Sequence, residues 1–513
     1  MVNSPKTSFI LYINPFSFIF SYFPPVFSRS QKTLICGKMG LKQAAADASS
    51  DAKKRRRVGF SEIDVGIEAN DCIKVFIVSS KEEVNGASGF CIDPVDLNRF
   101  FGEDGKIYGY KDLKITISLS SISFHAYADI KFQSSSEGGK GITDLKSSLQ
   151  NIFGESLVEN KEDFLRTFST ESCYISTSIS NGKVIQCKAS QGCSDKSNNH
   201  LESEANTVEL QVIQLAINSL PVGQLYSRLV PLVLLLVDGS SPIDITDPRW
   251  EIYLVVQKTL DNQEDADLRL LGFAAVYRFY RYPDSSRLRI SQILVLPPYQ
   301  GQGHGRYLLE VLHELAILEN VYDVTVEEPS DYLQHVRTCM DMLHLLDFDP
   351  VQGAVNSAVS HLKQGNLSKK TSKFQLEPPA SVVENVRKNL KINRKQFLQC
   401  WEVLIYLGLD PVDRYMENYV TFISERTKAD ILGKDSGTDG KHLIDVPNDY
   451  DIDMAFVMFR TQAGGGNSVE IDKSQADQTN QEEALRQLVD DRVKEIMSIA
   501  LKVSSLRGCG VLK

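Results

Sequence analysis

The sequence predicts an α+β protein: a mixed β-sheet with helices at its centre, a second α+β unit before it and a helical unit after it. Three observations carry that expectation. Residues 250–256 and 271–277 are apolar, branched runs separated by a charged loop around residues 261–267, which reads as an antiparallel hairpin. The run from Arg289 to Leu296 is a further strand, followed by Gly301, Gly303 and Gly305 and then by Leu308, Leu309, Leu312 and Leu315 at helical spacing. Apolar residues recur at helical spacing over residues 332–346 and 380–407, and again over 481–501. Antiparallel strands leading into the Arg289 strand disfavour the parallel units of a dinucleotide fold.

With 513 residues, 42% of them apolar, the chain is long enough for about three domains with real cores. Its net charge of −10 argues against general nucleic-acid binding and suits a basic partner. The nine cysteines are scattered, with no C-x-x-C pair, and Cys187 and Cys193 lack the partners of a zinc site. They read as reduced thiols of a cytosolic or nuclear protein.

Residues 1–63 are expected to be a disordered extension. The aromatic stretch at residues 9–23 is broken by Pro15 and closed by Pro24 and Pro25, too short and interrupted for a membrane helix. Acidic residues are absent from residues 1–38, which leaves a targeting peptide open. Met39 offers an alternative start, and the preferred expectation is that residues 1–38 lie outside the folded protein. Lys53, Lys54, Arg55, Arg56 and Arg57 form a compact run that reads as a nuclear-import signal or as a solvated charge run.

Residues 64–222 are expected to form the N-terminal α+β domain. A strand is predicted over 72–78, and Leu113, Ile115, Ile117 and Leu119 alternate with Lys114, Thr116 and Ser118 as in a half-buried strand. Residues 124–132 alternate likewise, 144–153 suit a short helix and 208–215 another strand. The central domain spans residues 223–345. Its first element, residues 225–237, is apolar but interrupted by Arg228 and Pro231, so it is a buried helix and not a membrane span; Asp238 follows it. Residues 346–430 are assigned to a helical domain, with a stop at Gly408 to Pro411. Residues 431–479 are expected to be a mobile, polar region with a strand-like run at 454–459. Residues 480–513 close the chain as an amphipathic helix with Leu485, Leu488, Val489, Val493, Ile496 and Ile499 on one side, and a tail.

The glycine-rich turn is the stretch that speaks most directly of chemistry. The first turn of a helix leaves N–H groups without partners and carries partial positive charge, so glycines there either cradle an anion or simply make a tight turn. A nucleotide-triphosphate loop needs Gly-Lys followed by Ser or Thr, and a dinucleotide fingerprint needs glycine where Arg306 stands. The pattern Gln300-x-x-Gly303-x-Gly305 after a strand instead resembles the acyl-coenzyme-A pyrophosphate loop of the GNAT acetyltransferases. Arg289 to Gly305, with Asp323-Val-Thr-Val-Glu-Glu-Pro-Ser330, is more closely similar to the type B histone acetyltransferase catalytic subunits. The resemblance extends from about residue 64 to 407 and, weakly, to the closing helix.

What the resemblance implies is specific. The central sheet would be the splayed GNAT sheet, with the acetyl thioester in the gap between the Arg289 strand and the strand ending at Glu327. The backbone of Ile293, Leu294 and Val295 would align the pantetheine arm, and Gln300, Gly301, Gln302, Gly303, His304, Gly305 and Arg306 would hold the pyrophosphate of acetyl-CoA. Glu327 matches the general base, with Glu328 and Asp238 as accessory carboxylates. Asp104, Gly105 and Lys106 match a histone-tail contact, Gly105 standing where the family has an acidic residue. Tyr277, Arg278 and Phe279 match the wall of the peptide groove. Without the resemblance, the aromatic cluster would read as core and the Glu pair as solvated surface.

The chemistry needs such a base. A lysine amine with a pKa of about 10.4 is protonated roughly a thousandfold over its neutral form near neutral pH, and only the neutral form attacks. The expected function is acetyl transfer from acetyl-CoA to lysines of free, newly synthesised core histones, the H4 tail first among them, in nucleus and cytoplasm and linked to chromatin assembly. A WD-repeat histone chaperone is implied as partner; no direct nucleic-acid or membrane contact is. No metal is expected, since His304 and His313 lack carboxylate or cysteine partners at ligand spacing. The competing readings are a catalytically weak histone-binding assembly module on the same fold and a small-molecule acetyltransferase.

Overall fold

Two larger sheets and a set of C-terminal helices set the positions of the residues named above. The structure, a computed structural model, describes residues 65–508 apart from 87, 103, 138–139, 191–206, 261–267, 365–375 and 433–474, and these fall in one compact unit. The extension with its basic run, the loop at 261–267, nearly all of the region expected to be mobile and the strand-like run at 454–459 lie outside the described residues. The described cysteines are free thiols.

The N-terminal sheet contains β1 (Ile73–Val78), β2 (Phe90–Ile92), β3 (Lys114–Ser120), β4 (Ala126–Lys131) and β5 (Leu157–Val158), in the order β2-β1-β3-β4-β5. β1 and β3 run parallel, with Val75 opposite Ile117, and β4 returns antiparallel to β3. The alternation of Ile115, Ile117 and Leu119 buries all three side chains. Helix α1 (Leu145–Phe153) follows; Asp144 caps it by accepting the Ser147 N–H.

The central sheet contains β6 (Lys183–Ser190), β7 (Thr207–Ala216), β8 (Trp250–Leu260), β9 (Leu268–Arg281), β10 (Ser285–Val295) and β11 (Val324–Val326), in chain order across the sheet. Every neighbouring pair is antiparallel except β10 and β11, which are parallel. Helix α2 (Leu220–Leu236) packs on one face against Ile252, Leu254, Phe273 and Ala275, in one apolar cluster that continues into the N-terminal sheet. Helix α3 (His304–Leu318) packs on the other, against Tyr253, Ala274, Val276, Leu288 and Ile290. The strand expected at 208–215 thus belongs to the central sheet and not to the N-terminal unit, and the boundary expected at residue 222 falls inside α2. Alternation identifies a half-buried strand but not its partner, which here is β8, some 40 residues on.

The C-terminal helices are α4 (Asp331–Leu346), α5 (Asp349–Gln364), α6 (Ala380–Leu390), α7 (Arg394–Gly408), α8 (Asp413–Leu432) and α9 (Gln475–Gly508). Their core surrounds Trp401, whose indole N–H donates to the Leu376 carbonyl at 2.8 Å. α9 inserts Val489, Ile496, Ile499 and Val503, whereas Leu488, expected on the same side, is 43% exposed. The stretch 380–407 is two helices. Lys391 takes a left-handed conformation (φ 55°), Ile392 bridges Val324 of β11, and Asn393 both caps α7 and donates to the Val324 carbonyl. The break covers the outer edge of β11, which would otherwise expose unpaired backbone groups.

Candidate active site

The site grows out of one irregularity in β10. Opposite Ala275 stands Gln292 and opposite Val276 stands Ile290, so Ser291 is an extra residue, a β-bulge. Before it, Leu288 donates to the Asp323 carbonyl and Ile290 accepts from the Glu327 N–H, so even-numbered residues face β11. After it, the Leu296 N–H donates to Leu271 of β9, and the antiparallel alternation turns Leu294 the same way. Ile293 and Val295 therefore present their N–H and C=O groups on the β11 side. β11 has already ended there: the Glu327 bond to Ile290 is the last of the ladder, and the two strands part. The Val295 carbonyl accepts from the Gln300 side chain at 2.9 Å. Ile293 and Val295 thus line the gap, and Leu294, expected with them, directs its backbone groups at β9.

Beyond the strand, Pro297–Tyr299 makes one 3-10 turn and α3 starts at His304. Gly301 and Gly303 have φ of 75° and 86°, a region costly for residues with a Cβ. An added Cβ at either would meet no atom of the chain within 4 Å, so conformation calls for glycine and the space stands open to a ligand. The first helical bond runs from the Tyr307 N–H to the Gly303 carbonyl, leaving the N–H groups of His304, Gly305 and Arg306 without intrahelical partners. The His304 side chain is buried, and burial pushes its pKa down, so its ring is neutral at pH 7. Gln302 reaches back toward the Pro298 carbonyl, and Arg306 pairs with Glu310 at 2.7 Å.

The carboxylates sit where the sheet opens. Val324 and Val326 pack on the α3 side, so by alternation Glu327 is directed to the α2 face; its Oε2 accepts from the Ser291 hydroxyl at 2.5 Å. Glu327 and Glu328 are both exposed, and Glu328, with φ 36°, turns the chain out of the sheet. β11 is pinned at its start by a buried bidentate pair, Arg287 Nε to Asp323 Oδ1 at 2.6 Å and Arg287 Nη2 to Asp323 Oδ2 at 2.9 Å. Asp238 lies exposed in the loop after α2. That loop is tied to β10 by Gln292, which donates to the Ser241 carbonyl at 2.7 Å and accepts from Tyr226 of α2; the Tyr226 hydroxyl accepts the Ile243 N–H. Ser291, Gln292 and Tyr226 were not anticipated as site residues. The polar pair Ser291-Gln292 inside an apolar strand was the available signal. Tyr226→Phe leaves the Ile243 N–H and the Gln292 carbonyl oxygen without partners, and should cost about 1–3 kcal/mol of stability in urea denaturation.

On the same α2 face, Tyr277 and Phe279 continue the row begun by Phe273 and Ala275. Tyr277 stacks edgewise on Trp250 and Phe279, Arg289 lies over Phe279 at 4.5 Å, and the Tyr277 hydroxyl donates to Asp247 at 2.9 Å. Hydrogen bonds from Arg249 hold the Asp247 carboxyl well below the usual carboxylate range. Arg278 is not brought into this row. It points to the α3 face, where it bonds Glu251 at 3.0 Å and Glu319 at 2.9 Å, as alternation along a strand requires.

The N-terminal segment reaches the same end of α2: Val95 donates to the Leu235 carbonyl at 2.8 Å and Arg99 to that of Leu234. Asp104 accepts from Tyr108 and from Lys140 at 2.7 Å, and the Lys140 bond lowers its pKa to about 2. Gly105 has φ 70°, and a Cβ there would come within 2.7 Å of Asn98 Cβ, so the backbone itself calls for glycine. Lys106 is in a two-residue ladder opposite Glu68.

His313 departs from expectation. Along the chain it has no ligand-spaced partner, but in space α4 brings Asp341 and His344 beside it, one potential ligand atom from each lying within 4.8 Å of the others.

Two family models match the chain: "Histone acetyl transferase HAT1 N-terminus" over residues 65–238 and "Acetyltransferase (GNAT) family" over residues 243–336. Over 464 residues it is 52% identical to the histone acetyltransferase type B catalytic subunit of Arabidopsis thaliana, covering 90% of this chain and 97% of that one. It is 49% identical over 472 residues to the protein of the same description from Zea mays, covering 91% and 97%. A Dictyostelium discoideum relative so described is 28% identical over 341 residues, covering 65% of each chain.

Proposed function

Because the chain belongs to the type B histone acetyltransferase catalytic subunits, enzymes on the GNAT fold, we propose that its substrate is the tail of free, newly synthesised histone H4 and that Glu327 is the principal base. GNAT acetyltransferases take the acetyl group from acetyl-CoA. The observation that carries the proposal is the position of Glu327: it ends β11 where the sheet opens, is held by Ser291, and is directed to the face of Tyr277 and Phe279.

In this reading Glu327 accepts the proton of the lysine ammonium, directly or through a water, and the neutral nitrogen attacks the thioester carbonyl. The C–N bond forms, the C–S bond breaks, and coenzyme A leaves as a thiolate that takes up a proton. The backbone of Ile293 and the N–H of Val295 align the pantetheine arm by strand-like bonding, and the N–H groups at the start of α3, with Gly301 and Gly303, receive the pyrophosphate. Tyr277, Phe279 and Trp250 flank the aliphatic part of the target lysine. The exposed carboxylates Asp238, Glu327 and Glu328 suit a basic tail. Glu328 and Asp238 assist by holding positive charge nearby.

The test of substrate class is competition. An equal mixture of free H4 tail peptide and spermidine, offered with acetyl-CoA, should yield acetylated peptide almost alone; preferential acetylation of the polyamine would overturn the histone assignment. The cofactor arm has its own test. Gly303→Asp adds a carboxylate beside the phosphate cradle in a conformation Asp tolerates better than most residues, so the fold should persist while acetyl-CoA affinity drops about 100-fold by calorimetry, or about 3 kcal/mol.

A WD-repeat histone chaperone as partner, no direct contact with nucleic acid, and residence in nucleus and cytoplasm complete the proposal. The import reading rests on the basic run Lys53 to Arg57. No helix among the described residues is long and apolar enough to cross a membrane. A fusion starting at Met39 should be at least partly nuclear, and changing the five basic residues to alanine should move it to the cytoplasm in fluorescence images.

A further inference from the structure

The cluster of His313, Asp341 and His344 lies away from the acetyl-transfer groove, between α3 and the C-terminal helices. Asp341 and His344 are three residues apart on α4 and so share one helix face, the spacing by which a carboxylate and an imidazole on one helix converge on a metal in helical bundles. His313 of α3 meets them from across the interface, its ring stacked on that of His344 at 4.6 Å. One potential ligand atom from each of the three residues lies within 4.8 Å of the others.

Two further observations point to a ligand. The first is unmet bonding. Asp341 is 3% exposed, yet its Oδ2 has no hydrogen-bond partner, and the nearest cation, Arg337 Nε, is 3.8 Å away; His344 Nδ1 is also buried without a partner. A buried carboxylate oxygen left in this way is expensive unless something occupies the space. The second is the outer support of His313: its Nε2 is 2.5 Å from the Leu390 carbonyl, so it donates there and keeps Nδ1 as a lone-pair donor. A ring N–H given to a backbone carbonyl is the usual way a ligating histidine is oriented.

We propose that His313, Asp341 and His344 form a site for a divalent d-block cation, Zn²⁺ fitting best, which ties α3 to α4. Two imidazoles and one carboxylate are a zinc donor set, with water as the fourth ligand. With two imidazole nitrogens among the three donors, the site suits the oxygen-seeking cations Ca²⁺ and Mg²⁺ poorly. The site steadies the start of the C-terminal domain and leaves the acetyl-transfer residues untouched.

The experiment uses the full-length chain, stripped with a chelator and titrated with Zn²⁺. One molar equivalent should bind and survive gel filtration, and the unfolding midpoint should rise, while Ca²⁺ and Mg²⁺ leave it unchanged. Co²⁺ in place of Zn²⁺ should give the visible absorption of a four-coordinate N/O site. His344→Ala and the shape-preserving Asp341→Asn should each weaken Zn²⁺ binding at least about tenfold and abolish that absorption. Absence of binding to the stripped wild-type chain, or binding equal in wild type and folded Asp341→Asn, overturns the site.

Discussion

Glu327→Gln should lower the rate of acetyl transfer by about 10²–10⁴, or roughly 3–5 kcal/mol of barrier, while acetyl-CoA affinity barely moves. The amide keeps the shape of the side chain, and its oxygen can still accept from Ser291, so β11 should stay in place. What is lost is a group able to take the ammonium proton. The pH dependence separates this loss from simple damage. The neutral fraction of a lysine grows about tenfold per pH unit below its pKa of about 10.4, so the variant should regain rate as pH rises, more steeply than the wild type. Glu328→Gln and Asp238→Asn should cost less, because no hydrogen bond or ion pair among the described residues fixes either carboxylate in the groove. Near-normal turnover of Glu327→Gln at saturating substrate would move the role to one of those two.

The second large effect is on stability. Asp323→Ala should destabilise the fold by about 3–5 kcal/mol in urea denaturation, because it strips the buried Arg287 guanidinium of its bidentate partner. Surface pairs such as Lys146–Glu159 are solvated and offer no such dependence. Asp323 immediately precedes β11, a strand of three residues held by few ladder bonds. Its loss should therefore also loosen the strand that carries Glu327, and transfer should fall even where the variant remains folded. An unchanged denaturation midpoint would show that water reaches Arg287 and that the pair does not pin the strand.

The sequence disclosed the parts of this site that are local. Gln300 to Arg306 were readable because glycines at fixed offsets before a helical leucine pattern describe a strand, a turn and a helix start without any distant partner. The strand end at Glu327 was readable because Pro329 stops it, whereas the expected role of Glu327 came from the resemblance alone. What could not be read depends on pairing between segments far apart in the chain. The bulge at Ser291 exists only relative to β9, and it decides that Ile293 and Val295, but not Leu294, face the gap. Arg278 stands between Tyr277 and Phe279 in sequence and on the opposite face in space, a consequence of strand period that a contiguous motif conceals. The tie from Gln292 to the loop of Asp238 spans 51 residues, and the bond that joins Gln292 to Tyr226 spans 66. His313 gained Asp341 and His344 only when α4 packed on α3. The strand expected at 208–215 in the N-terminal unit pairs in the central sheet for the same reason, and the helix break at Lys391 to Asn393 reflects the need of β11 for a covering partner.

The most direct measurement mixes the full-length chain, saturated with acetyl-CoA, with free H4 tail peptide in a single turnover and follows peptide mass with time. The expected result is a gain of one acetyl group per peptide on a lysine, in a fast phase that is present in wild type, slowed about 10²–10⁴-fold in Glu327→Gln and lost when Gly303→Asp is used at the same coenzyme concentration. Peptide that binds tightly to the acetyl-CoA complex but gains no mass, in wild type as in Glu327→Gln, would contradict it and identify the groove as a histone-binding surface without transfer.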